Sequence, residues 1–417
     1  MGIAGIAHKS LGLNDKRCTF DDCLAVSLLK KLFPATQNAT APIQYTIHAH
    51  VADIKSDLTE LNKANIQELS YSYYALLEAT LPEVASRYVI IRKNGHPILF
   101  AYFQLFTLTS TNFNLENNSN FVKGILKFFV NLKKAKVVVL GSVLRNETLS
   151  YCYNTEELNS DEATEVIAGI AEKIAAQECA TAIILKELPE LSDVTHKVLT
   201  ANGYNMPFED KVMDMTINPN WHSLKDYTEA LSRKYKARAN KVLDAANSLE
   251  VKLLTEKEII NHTADINRLF TGVVREQPFT LTQPGSEYFS ALKKLYGEAF
   301  EVTGYFENGK MIAFYTAFIG KDYYNLYYVG FDYALNGTYQ LYFNILFSGL
   351  ERAILLQKQQ LQLGRTSFDA KASLGAQART LNYLIKMEYM PEVVIKWFVK
   401  YFSAMENTKW KQRTPLK

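Results

Sequence analysis

YVIIRKNGHPILFAYFQLF, Tyr88 to Phe106, and EVTGYFENGKMIAFYTAFI, Glu301 to Ile319, follow one design written twice. Each joins two β-branched and aromatic runs at an Asn-Gly pair, Asn94-Gly95 first and Asn308-Gly309 214 positions later. Asn-Gly between such runs signals a two-residue hairpin, because both turn residues must take positive φ. A repeat at this distance is the duplication of a domain-sized unit rather than a solenoid period.

Outward from the hairpins the surroundings match too. A helical pattern precedes each, over 66–78 and 286–296, and a β-rich run follows each, over 136–144 and 323–332. The first half continues with helix 161–176, strand 181–186, helix 192–201 and YNMPFEDKVMDMTI (204–217) as its terminal strands. The second continues with helix 339–357, strand LQLG (361–364), the stretch LGRTSFDAKASLGA (363–376) and helix 378–386. Antiparallel strands followed by a βαβ crossover give an α/β class, a tandem duplication of a mixed sheet flanked by helices. The expected boundaries are a tail with a short helix at 1–42, lobes at 43–218 and 219–405, and a tail at 406–417. Between the lobes, Ser223 and Asp226 fit a capping box, and Leu224, Tyr227, Leu231 and Tyr235 are spaced for one helix.

With 417 residues, 48% of them apolar, the chain can bury two cores, and a net charge of +3 gives no bulk argument for nucleic acid. Cys18, Cys23, Cys152 and Cys179 have no CxxC or Cys/His spacing, which argues against a disulfide framework or zinc site and for a reducing compartment. Cys152 and Cys179 read as buried small apolar residues. No apolar run of 18 residues occurs and no secretory pattern opens the chain, so the expected location is cytoplasmic.

In a βαβ crossover a ligand sits beyond the strand's carboxyl end, at the next helix N-terminus. In the second half this is Asp332 to Gln340, where Asn336-Gly337 allows a turn and Thr338 a cap. Two readings stand: a plain turn, or a pyrophosphate seat. Asp332 is either a strand-end cap or a proton acceptor for an attacking amine. Arg365, Asp369 and Lys371 are either solvated charges on a turn or an anion-facing loop. Arg233, Lys234, Lys236, Arg238 and Lys241 form the densest basic run, a solvated helix face or an anion attractor. His48 and His50 would share a strand face as a metal pair does, but no third ligand is evident, so no metal is expected.

KYKARANK (234–241), ENGKMIAFY (307–315), YYVGFD (327–332), LYFNILFSGLERAI (341–354) and above all LGRTSFDAKASLGA resemble the GNAT superfamily of acyl-CoA N-acyltransferases. With YALLEATLPEVASRYVIIRKNG (74–95), they look like its two-lobed Bacteroidetes-type subgroup, related to Fem peptidoglycan-bridge transferases, across roughly 43–405. The resemblance implies a donor site in the second lobe, where strands splay to admit pantetheine and Asn336, Gly337, Thr338, Tyr339 and Gln340 hold acyl-CoA. The usual Arg/Gln-x-x-Gly-x-Gly/Ala loop is absent at that place. The activity implied is acyl transfer from a thioester to a primary amine of a small molecule or lipid precursor, with Asp332 as base, Tyr328 as acid, and Arg365, Lys371 and Asp369 facing substrate. An acyl carrier protein is a second donor source. Aminoacyl transfer from tRNA to a cell-wall precursor and a non-catalytic binding module are the alternatives.

Overall fold

The structure, a computed structural model, describes residues 43–114, 135–206, 210–277, 279–387 and 410–417. The expected N-terminal tail lies outside them. The strands in chain order are β1 (Gln44–His48), β2 (Ala85–Lys93), β3 (His96–Thr107), β4 (Lys136–Leu140), β5 (Tyr151–Tyr153), β6 (Ala182–Lys186), β7 (Asp210–Thr216), β8 (Glu250–Leu253), β9 (Phe300–Glu307), β10 (Lys310–Ile319), β11 (Tyr323–Phe331), β12 (Gln360–Gly364), β13 (Gln377–Leu381) and β14 (Tyr383–Met387). Among the described residues they form two seven-stranded mixed sheets, the duplication expected from the hairpins. One has the order β1-β2-β3-β4-β6-β14, with β5 beside β3, and the other β13-β7-β12-β11-β10-β9-β8. Both hairpins turn where the repeat placed them, with Asn94 and Gly95 at φ 57° and 83° and Asn308 and Gly309 at 50° and 80°.

Two departures have one cause. The stretch 204–217, expected to end the first half's strands, contributes β7 to the second sheet, antiparallel to both β12 and β13. The expected helix over 378–386 is instead β13 and β14, and β14 closes the first sheet against β6. Each sheet therefore takes a strand from the other half. A helix there would leave the ladder groups of β6 and β7 unpaired, a cost that backbone polar groups rarely bear. Buried Leu381, Tyr383, Leu384 and Ile385 suit a pleated surface.

Both central hairpins are buried on both faces, which is why they read as near-continuous apolar runs. In β3, Leu99, Ala101, Phe103 and Leu105 pack under helix Ser160–Glu178. Phe100, Tyr102 and Phe106 point the other way, into a core shared with the second half. That core also takes Tyr73, Tyr74 and Leu77 of helix Tyr71–Thr80, Phe270 of helix Thr263–Arg275, Tyr288, Phe289 and Leu292 of helix Tyr288–Tyr296, and Phe314 and Phe318 of β10. Helix Leu341–Leu355 covers the outer face of the second sheet.

The connection between halves is two helices, Leu224–Ala230 and Arg233–Ala245, rather than one. Its capping box forms as expected, with Asp226 N donating to Ser223 Oγ at 3.3 Å and Ser223 N to the Asp226 carboxylate at 2.9 Å. The break comes at Leu231, which bridges Leu416, and at Ser232, whose N–H donates to the Pro415 carbonyl at 2.8 Å. Among the described residues, no helix is long and apolar enough to cross a membrane.

Candidate active site

β11 and β12 run parallel but pair only through Tyr323 with Gln360, Tyr324 with Leu361 and Asn325 with Gln362. β11 then continues from Leu326 to Phe331 without β12 beside it. At the point of divergence β11 bulges: Tyr315 pairs with Val329 but Ala317 with Leu326, so Tyr327 and Tyr328 together oppose Thr316. The fully buried Thr316 fills the bulge, its hydroxyl accepting from Tyr328 N at 2.9 Å and donating to Tyr328 O at 3.3 Å. Beyond the bulge, Tyr328 N and Asp332 N both face β10. Antiparallel alternation therefore turns the N–H groups of Val329 and Phe331 to the side that β12 has left. Gly330 allows this edge to sit tightly under helix Thr263–Arg275, since a Cβ there would lie 2.8 Å from Phe270 N and 2.9 Å from Leu269 C.

In the first half the corresponding place is filled. β4 and β6 pair through four positions, up to Leu140 with Leu185, where β4 ends. The chain then loops out and returns as β5, with Gly141 N donating to Tyr102 O at 2.8 Å and Tyr102 N to Ser150 O at 2.9 Å. Lys186 at the end of β6 holds this loop through the carbonyls of Ser142 (2.7 Å) and Arg145 (2.8 Å), and the Glu187 carboxylate accepts from Glu147 N and Thr148 N. The loop tip is a plug between the halves. Leu144 O accepts from Tyr327 at 2.8 Å and Tyr328 at 3.1 Å. Arg145, 4% exposed, pairs with Glu68 at 3.0 Å, bonds the Tyr296 hydroxyl at 3.2 Å and lies 3.5 Å from the centre of the Phe318 ring.

The candidate residues fall into three groups. Asp332 ends β11 as an N-cap, its carboxylate accepting from Ala334 N at 3.0 Å. It caps a short helix, Tyr333–Tyr339, which holds Asn336, Gly337 and Thr338, so the expected turn at Asn336-Gly337 and cap at Thr338 do not form. The break falls instead at Gln340, at φ 48°, and the next helix starts at Leu341 with Asn336 Oδ1 accepting from Tyr342 N at 3.0 Å. Asn and Gly have low helix propensity, which pointed to a turn, but the Asp332 cap outweighs it. The Tyr339 hydroxyl donates to Glu307. Tyr328 belongs to the interlobe cluster, with its ring 4.2 Å from that of Tyr327, and enclosure among these rings raises its phenol above the ordinary value.

Arg365, Asp369 and Lys371 do not converge. Arg365 forms a two-bond pair with Asp210 of β7 and reaches Asn146 of the plug at 2.8 Å. Lys371, 3% exposed, donates to the carbonyls of Gly364 and Arg365, where β12 ends in left-handed Gly364, Thr366 and Ser367. Asp369 is exposed and bonds Arg413 at 3.1 Å. Of the smaller expectations, His48 bonds Thr46 while His50 lies beyond β1 beside Glu78, so the two imidazoles do not share a strand face. Cys179 is exposed, at a helix C-cap, rather than buried, and Cys152 is half-buried, enclosed enough to push its thiol up to about 12.

Burial lowers the Lys371 ammonium to about 7, against an opposing pull from Asp214. The unfolded chain keeps that proton to about 10.4. Between those values the unfolded state binds more protons, so this group makes stability rise with pH from about 7 to about 10. Denaturant midpoints of wild type and Lys371→Met at pH 7 and pH 9 should show the wild type gaining more on the way up. Equal gains would mean that Lys371 titrates normally.

One further feature lies at the start of helix Leu341–Leu355. A cleft of about 370 Å³ is lined by Lys234, Tyr235, Arg238, Phe343, Asp369 and Arg413, among others. Lys234 and Arg238 are one helical turn apart and have no acidic partner among the described residues, and Arg238 sits 4.7 Å over the Phe343 ring. The basic run is thus divided: Lys236 is paired with Glu229 at 2.7 Å, while Lys234 and Arg238 face the cleft. Sequence spacing marked the run and Asp369, but it had no signal for Arg413.

No protein-family model and no curated protein matches the sequence. Among solved structures the chain is similar to FemX, at 8% identity over 84% of this chain and 99% of that one, TM-score 0.47. It is similar to a tandem GNAT protein from the clavulanic acid biosynthesis pathway, at 10% identity over 83% and 98%, TM-score 0.47. A third is the C-terminal domain of a putative lysylphosphatidylglycerol synthetase from Agrobacterium fabrum, at 10% identity over 84% and 97%, TM-score 0.46. By its own strand order and pairing, the chain is a duplicated mixed α/β protein whose second half presents an opened parallel edge and whose first half fills the same place with a plug.

Proposed function

We propose that the second half is an N-acyltransferase site that takes an acyl group from a phosphate-bearing thioester, such as acyl-CoA, and passes it to a primary amine. The observation that carries this reading is the opening of β11 from β12 after three pairs, at a bulge, beside the cation-lined cleft. A thioester arm laid along the opened edge finds backbone donors there in place of a strand. The amine nitrogen attacks the thioester carbonyl, a C–N bond forms and the C–S bond breaks. The Val329 and Phe331 N–H groups stabilise the oxyanion of the intermediate. Asp332, through water, accepts the proton that the amine loses, and Tyr328 supplies one to the departing thiolate after exchanging the Leu144 carbonyl for the sulfur. The Asn336 to Gln340 segment and the first turn of helix Leu341–Leu355 lie on the phosphate side. Arg365 and Lys371 are already engaged within the protein, and in this reading they hold the end of β12 rather than touch substrate.

The test is thiol release by pure protein from short- and long-chain acyl-CoAs over a panel of amino acids, amino sugars and sphingoid-type amines. Release that depends on the amine, with a CoA-dependent rise in melting temperature, is the expected result. Neither signal in any combination would remove the thioester reading, and capture of aminoacyl-tRNA by the same protein would put the Fem-like alternative in its place.

A further inference from the structure

The C-terminal segment Trp410–Lys417 is fixed across the second half although it belongs to neither sheet. Trp410 stacks on Phe368 at 5.5 Å, and Gln412 donates to the Ala376 carbonyl at 3.0 Å. Pro415 O accepts from Ser232 N, Leu416 bridges Leu231, and Lys417 N donates to the Ala230 carbonyl at 3.0 Å. Gly375 lies beside Pro415 at φ 105°, a backbone conformation that favours glycine. With anchors on both sides, the backbone at Arg413 is held at the rim of the cleft.

Arg413 is the third cation of that cleft, after Lys234 and Arg238, and Asp369 is the carboxylate that meets it. Three cations against one carboxylate leave an excess that a phosphate dianion matches. The Arg413–Asp369 pair is 42% and 55% exposed, and pairs so exposed are weak, so an anion with more oxygens displaces the carboxylate readily. Arg238 is oriented by the Phe343 ring beneath it, in the first turn of a 15-residue helix whose positive end adds to the same field.

We propose that Arg413, delivered by this C-terminal strap, closes a phosphate site with Lys234 and Arg238, and that Asp369 is the counter-anion the phosphate replaces. The proposal rests on the reading that the second half takes a phosphate-bearing donor, and adds that the strap supplies a donor-binding residue. It makes the empty site self-neutralised and the occupied one a three-cation clamp.

Isothermal titration with CoA and 3′-dephospho-CoA tests it on wild type, Arg413→Ala and Asp369→Asn. Arg413→Ala should weaken CoA about tenfold or more and flatten the salt dependence, as loss of a phosphate contact does. Asp369→Asn should tighten CoA severalfold, an opposite sign that a merely structural role does not produce. Loss for both ligands assigns Arg413 to the pyrophosphate, and loss for CoA alone to the 3′-phosphate. Unchanged binding in Arg413→Ala, or weaker binding in Asp369→Asn with an unaltered melting temperature, would overturn the strap's role while leaving the donor reading intact. No binding of either ligand to wild type would instead remove the donor reading itself.

Discussion

Arg145→Ala should destabilise the whole chain by about 3–5 kcal/mol, the usual cost of removing one partner from a buried ion pair. Arg145 keys the two halves together. Its guanidinium meets Glu68 and Tyr296 and packs on Phe318, so its loss leaves the Glu68 carboxylate partly enclosed and a void between two sheets. Among the described residues its Nε has no partner, so its position is fixed by packing as much as by hydrogen bonds. Because β7 and β14 are exchanged between the sheets, the loss should appear as one shifted unfolding transition for both halves. Urea denaturation followed by circular dichroism measures it, and adding Glu68→Gln should recover part of the loss, since the stranded charge is then gone. A midpoint within about 0.5 kcal/mol of wild type would place Arg145 among ordinary surface residues.

Thr316→Val is the second large effect. Valine keeps the shape but removes the hydroxyl that both accepts from and donates to Tyr328, leaving a buried N–H without its acceptor at about 1–3 kcal/mol. The bulge re-phases β11 so that Val329 and Phe331 face the opening, and without its filler it should relax toward regular pairing. Amine-dependent thiol release should therefore fall in kcat, with the donor KM little changed, because none of the cleft cations belongs to the bulge. A lowered melting temperature with unchanged kcat would separate the bulge from the chemistry.

The fold was largely legible because its strongest local signal, Asn-Gly between strand-like runs, was repeated, and because long helices announce themselves by period. What escaped was set by partners distant in sequence. Nothing in 378–386 states that β6 and β7 need edges to pair with. Arg365 read as a free cation because Asp210 and Asn146 lie 155 and 219 residues away. Lys371 read as a solvated or anion-facing charge because its partners are backbone carbonyls, which no residue type advertises. The junction after β11 was located correctly and Asp332 caps it, as one of its two readings had it, but the further cap expected at Thr338 does not form.

The asymmetry between the two strand openings is tested most directly by amide hydrogen exchange of the full chain with and without saturating acyl-CoA. Protection should appear in the second half, over 326–331, 341–345 and 368–373 and along the strap at 410–417, while 141–150 of the plug exchanges as before. Protection of the plug region instead, or none in the second half despite bound ligand, would contradict the assignment of the donor to the opened β11 edge.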